Sequence, residues 1–298
     1  MSLFTVKFRS LTLASSPFVL DTDLEIPLDV AAAKSCQAVL VSAMRASKEF
    51  ATIAFEKGGL RYVIRRAERY IIDLDGSFAA YLKKFSGGTR GRLGRTVKAF
   101  ARANAGTAEL REYRTPTEMK EFRDAAIAIS HRSYKQEIGW GFHEDETFAR
   151  QIELDAADGR ARGYVLMHHG NPAAYRLLRI ERDVIIDKYT AYDEELARWS
   201  PGTVLLYMIL ERLFEQHEFR LFDFDGLEHF AFKSFFSTGA VCCARVVWFR
   251  LTIRNVTLFG AHWMVTTVWR FASALRNRLR PNPPKWISAR RLAGLQGG

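Results

Sequence analysis

Two hydrophobic periods divide the chain. Leu11–Leu20 is apolar and preceded by Lys7 and Arg9, but Ser15, Ser16 and Pro17 break it, which suits an N-terminal strand better than a secretory leader. Ala38–Ser42 is apolar, Arg61–Arg66 follows a Gly58-Gly59 turn, and Arg69–Leu74 is a further β-prone run closed by Asp75-Gly76. Ser77 then caps a short helix, Phe78–Phe85. Past Ser86-Gly87-Gly88, Thr89 is the expected cap of a helix in which Leu93, Val97 and Phe100 recur at helical spacing. Arg95, Lys98 and Arg102 share another face of it.

Glu109–Arg114 alternates as a strand does. Thr115-Pro116-Thr117-Glu118 opens a helix reaching about Tyr134, and another runs from Glu144 to Asp158, stopped by Gly159. Three strand-like runs follow, Gly163–His168, Ala173–Ile180 and Val184–Ala191, the first two joined at Gly170-Asn171-Pro172. An apolar helix from Ser200-Pro201-Gly202 to His217 precedes a strand (Arg220–Phe224), a short helix (Leu227–Ser237) and a strand (Ala240–Leu251). Val256–Arg280 reads as helical, before the Pro281-Asn282-Pro283-Pro284 break and a basic tail. There is no internal repeat. The order predicts an α+β fold with one mixed sheet flanked by helices, in three parts: an N-terminal α/β segment (1–69), a central domain (70–252) and a basic C-terminal helix and tail (253–298).

Charge sharpens this picture. The 298 residues carry a formal +11, yet Lys83–Arg102 holds seven bases and no acid, and 253–298 holds eight more and no acid. The basicity is therefore two patches on a mildly acidic body, and the partners it predicts are specific anions. Three cysteines, two of them the adjacent Cys242 and Cys243, build no disulfide framework and have no zinc spacing. The chain reads as a metal-free protein of a reducing cytoplasm. His168-His169 lacks a carboxylate partner, and Ser86–Gly91 lacks the Gly-Lys-Ser/Thr of a nucleotide-hydrolysing loop.

The segment richest in chemistry runs from Tyr189-Thr190-Ala191-Tyr192-Asp193 to Ser200-Pro201-Gly202-Thr203-Val204-Leu205-Leu206. A strand ends, Ser200 can cap the next helix, and Pro201 suits its first position because it has no amide to orphan. Gly202 has no side chain, so an anion could reach the amides of Gly202, Thr203 and Val204 at the positive end of the helix dipole.

With these residues in hand, Leu74 to Val247 resembles the GNAT acyltransferase superfamily, and within it the CelD-like acetyltransferase branch of cellulose and cell-envelope polysaccharide loci. The residues carrying the resemblance are Asp75-Gly76-Ser77-Phe78 with Tyr81-Leu82, the Arg90–Arg95 helix, Tyr192-Asp193 with Ser200-Pro201-Gly202 and Leu205-Leu206, and Asp223-Phe224-Asp225-Gly226 before Phe232-Lys233. The resemblance implies acyl transfer from acyl-CoA to an amine on a sugar or envelope precursor. It also implies that Arg198, Ser200, Gly202, Thr203, Val204 and Lys233 hold the cofactor, its pyrophosphate lying on the helix start. A backbone amide of the Asp187–Tyr192 strand would polarise the thioester carbonyl.

The sequence departs from the superfamily in two places. Arg198-Trp199-Ser200-Pro201-Gly202 has one glycine and altered spacing, and Phe232 stands where the branch has tyrosine. The acid for the leaving thiolate then falls to Tyr189, Tyr192 or a water, and the base to Asp193 or Asp225, with Asp187 and His229 in sequence reach. Other readings of the same fold are a transferase fed by acyl carrier protein or aminoacyl-tRNA, and a catalytically silent binding protein of a polysaccharide-synthesis system. The Arg90–Arg102 helix lacks interleaved aromatics, so no nucleic-acid partner is expected from it. Asn255–Trp269, uncharged, rich in Trp and bracketed by arginines, suits either peripheral association with an anionic membrane at the cytoplasmic face or a helix packed on the domain with its basic end solvated.

Overall fold

The computed structural model describes the strand 11–14, residues 38–46, 51–56, 58–133, 141–226 and 231–253, and scattered positions from 255 to 272. In chain order the strands are β1 (Leu11–Ala14), β2 (Ala38–Arg45), β3 (Ile53–Glu56), β4 (Gly59–Asp73), β5 (Glu109–Tyr113), β6 (Ala161–His168), β7 (Asn171–Glu181), β8 (Val184–Tyr192), β9 (Leu221–Asp223) and β10 (Gly239–Arg250). The helices are α1 (Phe78–Leu82), α2 (Gly87–Ala103), α3 (Pro116–His131), α4 (Glu146–Ala157), a 3-10 turn (Glu194–Trp199), α5 (Pro201–Gln216) and α6 (Ala231–Phe236).

Two compact units emerge, 1–66 with 243–298, and 67–242. In the first, β1 lies parallel to β2, β2 pairs antiparallel with β10, and β3 forms a hairpin with the start of β4. Gly59 is required there, because a Cβ would stand 2.2 Å from the Trp248 ring.

The second unit is built on a mixed sheet in the order β4-β9-β8-β7-β6-β5. All neighbours are antiparallel except β8 and β9, joined through α5 and parallel. On one face lie α1, α2, α5 and α6, whose Tyr81, Leu93, Phe100, Leu206 and Phe236 meet Ile72, Leu166, Leu178, Ile185 and Phe222 of the strands. On the other, α3 and α4 cover Val165, Tyr175, Leu177 and Ala191 with Phe122, Ile129 and Ile152. Gly163 of β6 lets the Phe122 ring lie flat on the sheet, since a Cβ there would meet the ring at 2.5 Å.

Several sequence expectations are corrected. Arg61–Arg66 and Arg69–Leu74 are one fifteen-residue strand, β4, because nothing between them breaks a ladder. The cap of α2 is Ser86, whose hydroxyl accepts from the Thr89 amide, so Thr89 is the third helical residue. The β6–β7 turn is His169-Gly170, both at positive φ (49° and 77°), and Asn171 already pairs with His168. That two-residue loop matches the twist of a hairpin. The expected helix Val256–Arg280 and residues 227–230 lie largely or wholly outside the described residues.

Candidate active site

Strands β8 and β9 pair over three positions, Val184↔Leu221, Ile185↔Phe222 and Ile186↔Asp223. There β9 ends, while β8 continues to Tyr192 on β7 alone. At the same point the β7–β8 ladder slips: Leu178 faces Asp187 and Leu177 faces Tyr189, leaving Lys188 as an extra residue. A bulge bends its strand and strengthens the local twist, which turns β8 away from β9. The result is a wedge between two parallel strands, which begins beyond Ile186, where the β8–β9 ladder ends.

Charged groups fill the mouth of the wedge. Lys188 Nζ reaches Asp225 Oδ2 at 2.6 Å, and Arg69 holds the fully buried Asp223 through Nε at 2.7 Å and Nη2 at 2.6 Å. Arg69 Nη2 also lies 3.1 Å from Asp225 Oδ1, and Lys233 Nζ donates to the Asp225 carbonyl at 2.5 Å. Burial raises the pKa of Asp223. Burial also pushes Asp225 upward, but the charges of Arg69 and Lys188 outweigh it and hold that carboxyl below its ordinary value. One strand on, Arg176 Nη1 donates to Asp187, and the Phe232 ring covers the guanidinium at 5.5 Å.

The remaining predicted residues are dispersed. Tyr189 sits on the α3/α4 face against Phe142, His143 and Phe148, with ring centroids 5.2–5.9 Å away. Burial, then the nearby Asp225 and Asp145, raises its pKa, so its hydroxyl stays protonated at neutral pH. Tyr192 leaves the opposite face, beside Gly202. Asp193 is engaged in structure: Oδ2 pairs with Arg132 Nε at 2.6 Å and Oδ1 accepts from the Glu195 amide, starting the 3-10 turn. His229 lies outside the described residues.

The start of α5 differs from the sequence expectation. Ser200 is left-handed (φ 50°, ψ 50°) and its side chain makes no cap. Its carbonyl accepts from the amides of Thr203 (3.0 Å) and Val204 (3.1 Å), so neither is free for an anion. Pro201 has no N–H, which leaves the Gly202 amide as the first-turn donor. Arg198 is exposed, its guanidinium over Trp199. Among the described residues no group of His, Cys, Asp and Glu could hold a metal ion.

The second unit thus has a parallel strand pair joined by a helix, with a bulge where the pair separates. Residues 87–234 match a family model described as an acetyltransferase (GNAT) domain. These residues belong to the GNAT superfamily. The chain is also similar to the C-terminal domain of a lysylphosphatidylglycerol synthetase candidate from Agrobacterium fabrum, at 14% identity over 78% of this chain and 74% of that one, with a TM-score of 0.51. Further similar structures are L-PGS from Bacillus licheniformis (16% identity, 78% and 74% coverage, TM-score 0.48) and FemX (12%, 80% and 72%, 0.46). At these identities the likeness is one of fold. No curated protein matches the chain in sequence. The GNAT domain makes this protein a transferase of the acyltransferase type.

Sequence reasoning missed Arg69, Arg176 and Lys188, the cations of the wedge. Arg176 left a signal, as a charge set within the otherwise apolar run Ala173–Leu178. Arg69 and Lys188 left none, because their partners are distant in sequence.

Proposed function

We propose that the protein moves an acyl group from acyl-CoA to an amine on a sugar or cell-envelope precursor. The observation that carries this reading is the edge of β8 beyond Ile186, where its ladder with β9 ends, the bulge begins and the strand leads on to the start of α5. An extended thioester arm can add to that edge as a strand would, its main-chain-like amides meeting those of β8. The amine nitrogen attacks the thioester carbonyl and gives its proton to water, the C–N bond forms, the C–S bond breaks, and an amide N–H of β8 stabilises the oxyanion. Tyr189 and Tyr192 are the proposed acids for the departing thiolate. They leave the sheet on opposite faces, so a single one of them serves. Gly202 and Arg198 are the proposed anion contacts, with Ser200, Thr203 and Val204 shaping the turn that presents Gly202. Lys233 fixes the Asp225 loop, and Asp225 anchors Lys188 at the wedge, while Asp193 supports the strand end.

The test is calorimetry with acetyl-CoA and longer acyl-CoAs, followed by transfer assays on glucosamine. Micromolar binding with turnover supports the reading. Binding without turnover makes the protein a silent member of the fold, and absence of binding removes acyl-CoA as donor.

A second reading has its own observation. Arg92, Arg95, Lys98 and Arg102 of α2 are exposed, and no ion pair involves them among the described residues. They span about 15 Å along the helix axis, longer than one pyrophosphate needs. That row, with a single free amide at α5, favours a donor carried on a larger anionic body, an acyl carrier protein or an aminoacyl-tRNA. Competition of acyl-CoA binding by either carrier separates the two readings.

A further inference from the structure

The wedge holds one ion pair that its neighbours do not complete. Around it every carboxylate is satisfied: Asp223 by Arg69 and the Asp225 amide, and Asp225 by Arg69 and Lys188. The Arg176–Asp187 pair differs. Its side chains are 2% and 7% exposed, yet Arg176 Nε and Asp187 Oδ1 have no hydrogen-bond partner among the described residues. Asp187 is also the first residue of β8 beyond its pairing with β9, at the apex of the wedge.

Folded proteins seldom leave a buried donor and a buried acceptor both unmet, because each loses its hydration without replacement. Packing does not demand the pair either. A buried ion pair can usually be exchanged for apolar side chains of like volume without loss of stability. Two unfilled polar atoms, buried where the β8–β9 ladder ends, are therefore complementary to a ligand that displaces their cover and reaches them. Asp187 Oδ1 can only accept, and what it lacks is an N–H; Arg176 Nε can only donate, and what it lacks is an oxygen lone pair.

We propose that the Arg176–Asp187 pair is the recognition site for the acceptor, taking a primary amine on Asp187 Oδ1 and a neighbouring oxygen of the same molecule on Arg176 Nε. This rests on the amine-acyltransferase reading above and narrows it to acceptors with an oxygen close to the amine, as in amino sugars and amino alcohols. The Nη1 bond from Arg176 fixes the carboxylate, so its open oxygen is held ready for the ammonium. The Phe232 ring covers the guanidinium from the α6 side and brings no hydroxyl that could meet either atom.

The deciding variant is Arg176→Met with Asp187→Leu, which keeps the buried volume and removes both polar groups. Thermal unfolding is followed with millimolar glucosamine, ethanolamine and butylamine, with glucose as the amine-free control, and acyl-CoA binding is measured by calorimetry. We expect glucosamine and ethanolamine to raise the melting temperature of the wild type, butylamine and glucose to have little effect, and the double variant to respond to none. Its acyl-CoA affinity should stay within about threefold, and where transfer is detected its kcat/KM for the amine should fall at least 100-fold. A wild type blind to every amine, or a double variant that responds as the wild type does, overturns the proposal. If the double variant does not fold, Asp187→Asn is used: a tenfold rise in amine KM or Kd with unchanged acyl-CoA affinity supports the assignment, and an unchanged value overturns it. Amine binding without any acyl transfer would instead sink the function reading and leave this site standing.

Discussion

Gly202→Ala separates stability from donor binding, because the two should move in opposite directions. A Cβ at Gly202 would stand 3.4 Å from Tyr192 Cδ1 and near nothing else, an ordinary contact. Alanine is better than glycine inside a helix by up to about 1 kcal/mol, so the variant should be at least as stable as the wild type. The same methyl lies over the single free amide of the first turn. A charge-assisted hydrogen bond there is worth about 1.5–3 kcal/mol, and the helix dipole adds about 0.3–1 kcal/mol. Partial loss of that contact should weaken acyl-CoA binding at least tenfold, equivalent to about 1.4 kcal/mol. Gly202→Glu, which adds a negative charge, should abolish it. Urea unfolding and calorimetry on the same preparations give both numbers. A Gly202→Ala protein that binds acyl-CoA as the wild type does refutes the anion site, and the donor's phosphates must then be held by side chains alone.

The remaining predictions concern the acid, the charge cluster, the core and the C-terminal region. Tyr189→Phe or Tyr192→Phe should cut turnover by about 10²–10⁴-fold if that hydroxyl protonates the thiolate, and full rate in both assigns the step to water. Asp225 is held below its ordinary pKa, so its stabilisation is complete above about pH 4 and is lost as pH falls through the lower folded value. The stability gap between wild type and Asp225→Asn should accordingly shrink on acidification in urea titrations, and a gap constant from pH 6 to 3 argues against the pairing. Gly163→Ala should destabilise by about 1–3 kcal/mol through its clash with Phe122, measured as a shift in urea midpoint. Leu251, Met264, Val265 and Val268 are 49–64% exposed. No described helix is long and apolar enough to cross a membrane. Full-length protein should therefore float with anionic liposomes at low salt and a chain ending at Leu251 should not; equal behaviour ends the membrane reading.

Most of the central unit was legible because its signals are local. Thr115-Pro116-Thr117-Glu118 announces α3, and the structure has the full capping box there. The α5 stripe and the strand runs of β6, β7 and β8 are likewise written in periodicity. What escaped depends on geometry that no short window contains. Ser200 looks like a cap, but its left-handed backbone points the carbonyl, and not the hydroxyl, at the first turn. Lys188 looks like one more strand residue, and its role as a bulge follows from the register of Leu177 and Leu178 on the neighbouring strand. The wedge cations were hidden for the same reason, since Arg69 meets Asp223 across 154 positions of sequence.

The bulge also fixes how this domain could change by insertion and deletion. Leu178 and Asp187 face one side of the sheet, Leu177 and Tyr189 the other, so the alternation is already regular once Lys188 is skipped. Deleting Lys188 would keep the parity of every side chain from Asp187 to Tyr192 and leave both cores intact. It would also straighten β8 and remove the ion pair with Asp225. The β9 chain would still leave the sheet where Asp225 and Gly226 turn at positive φ. The bulge therefore governs one side of the opening, and that left-handed turn governs the other.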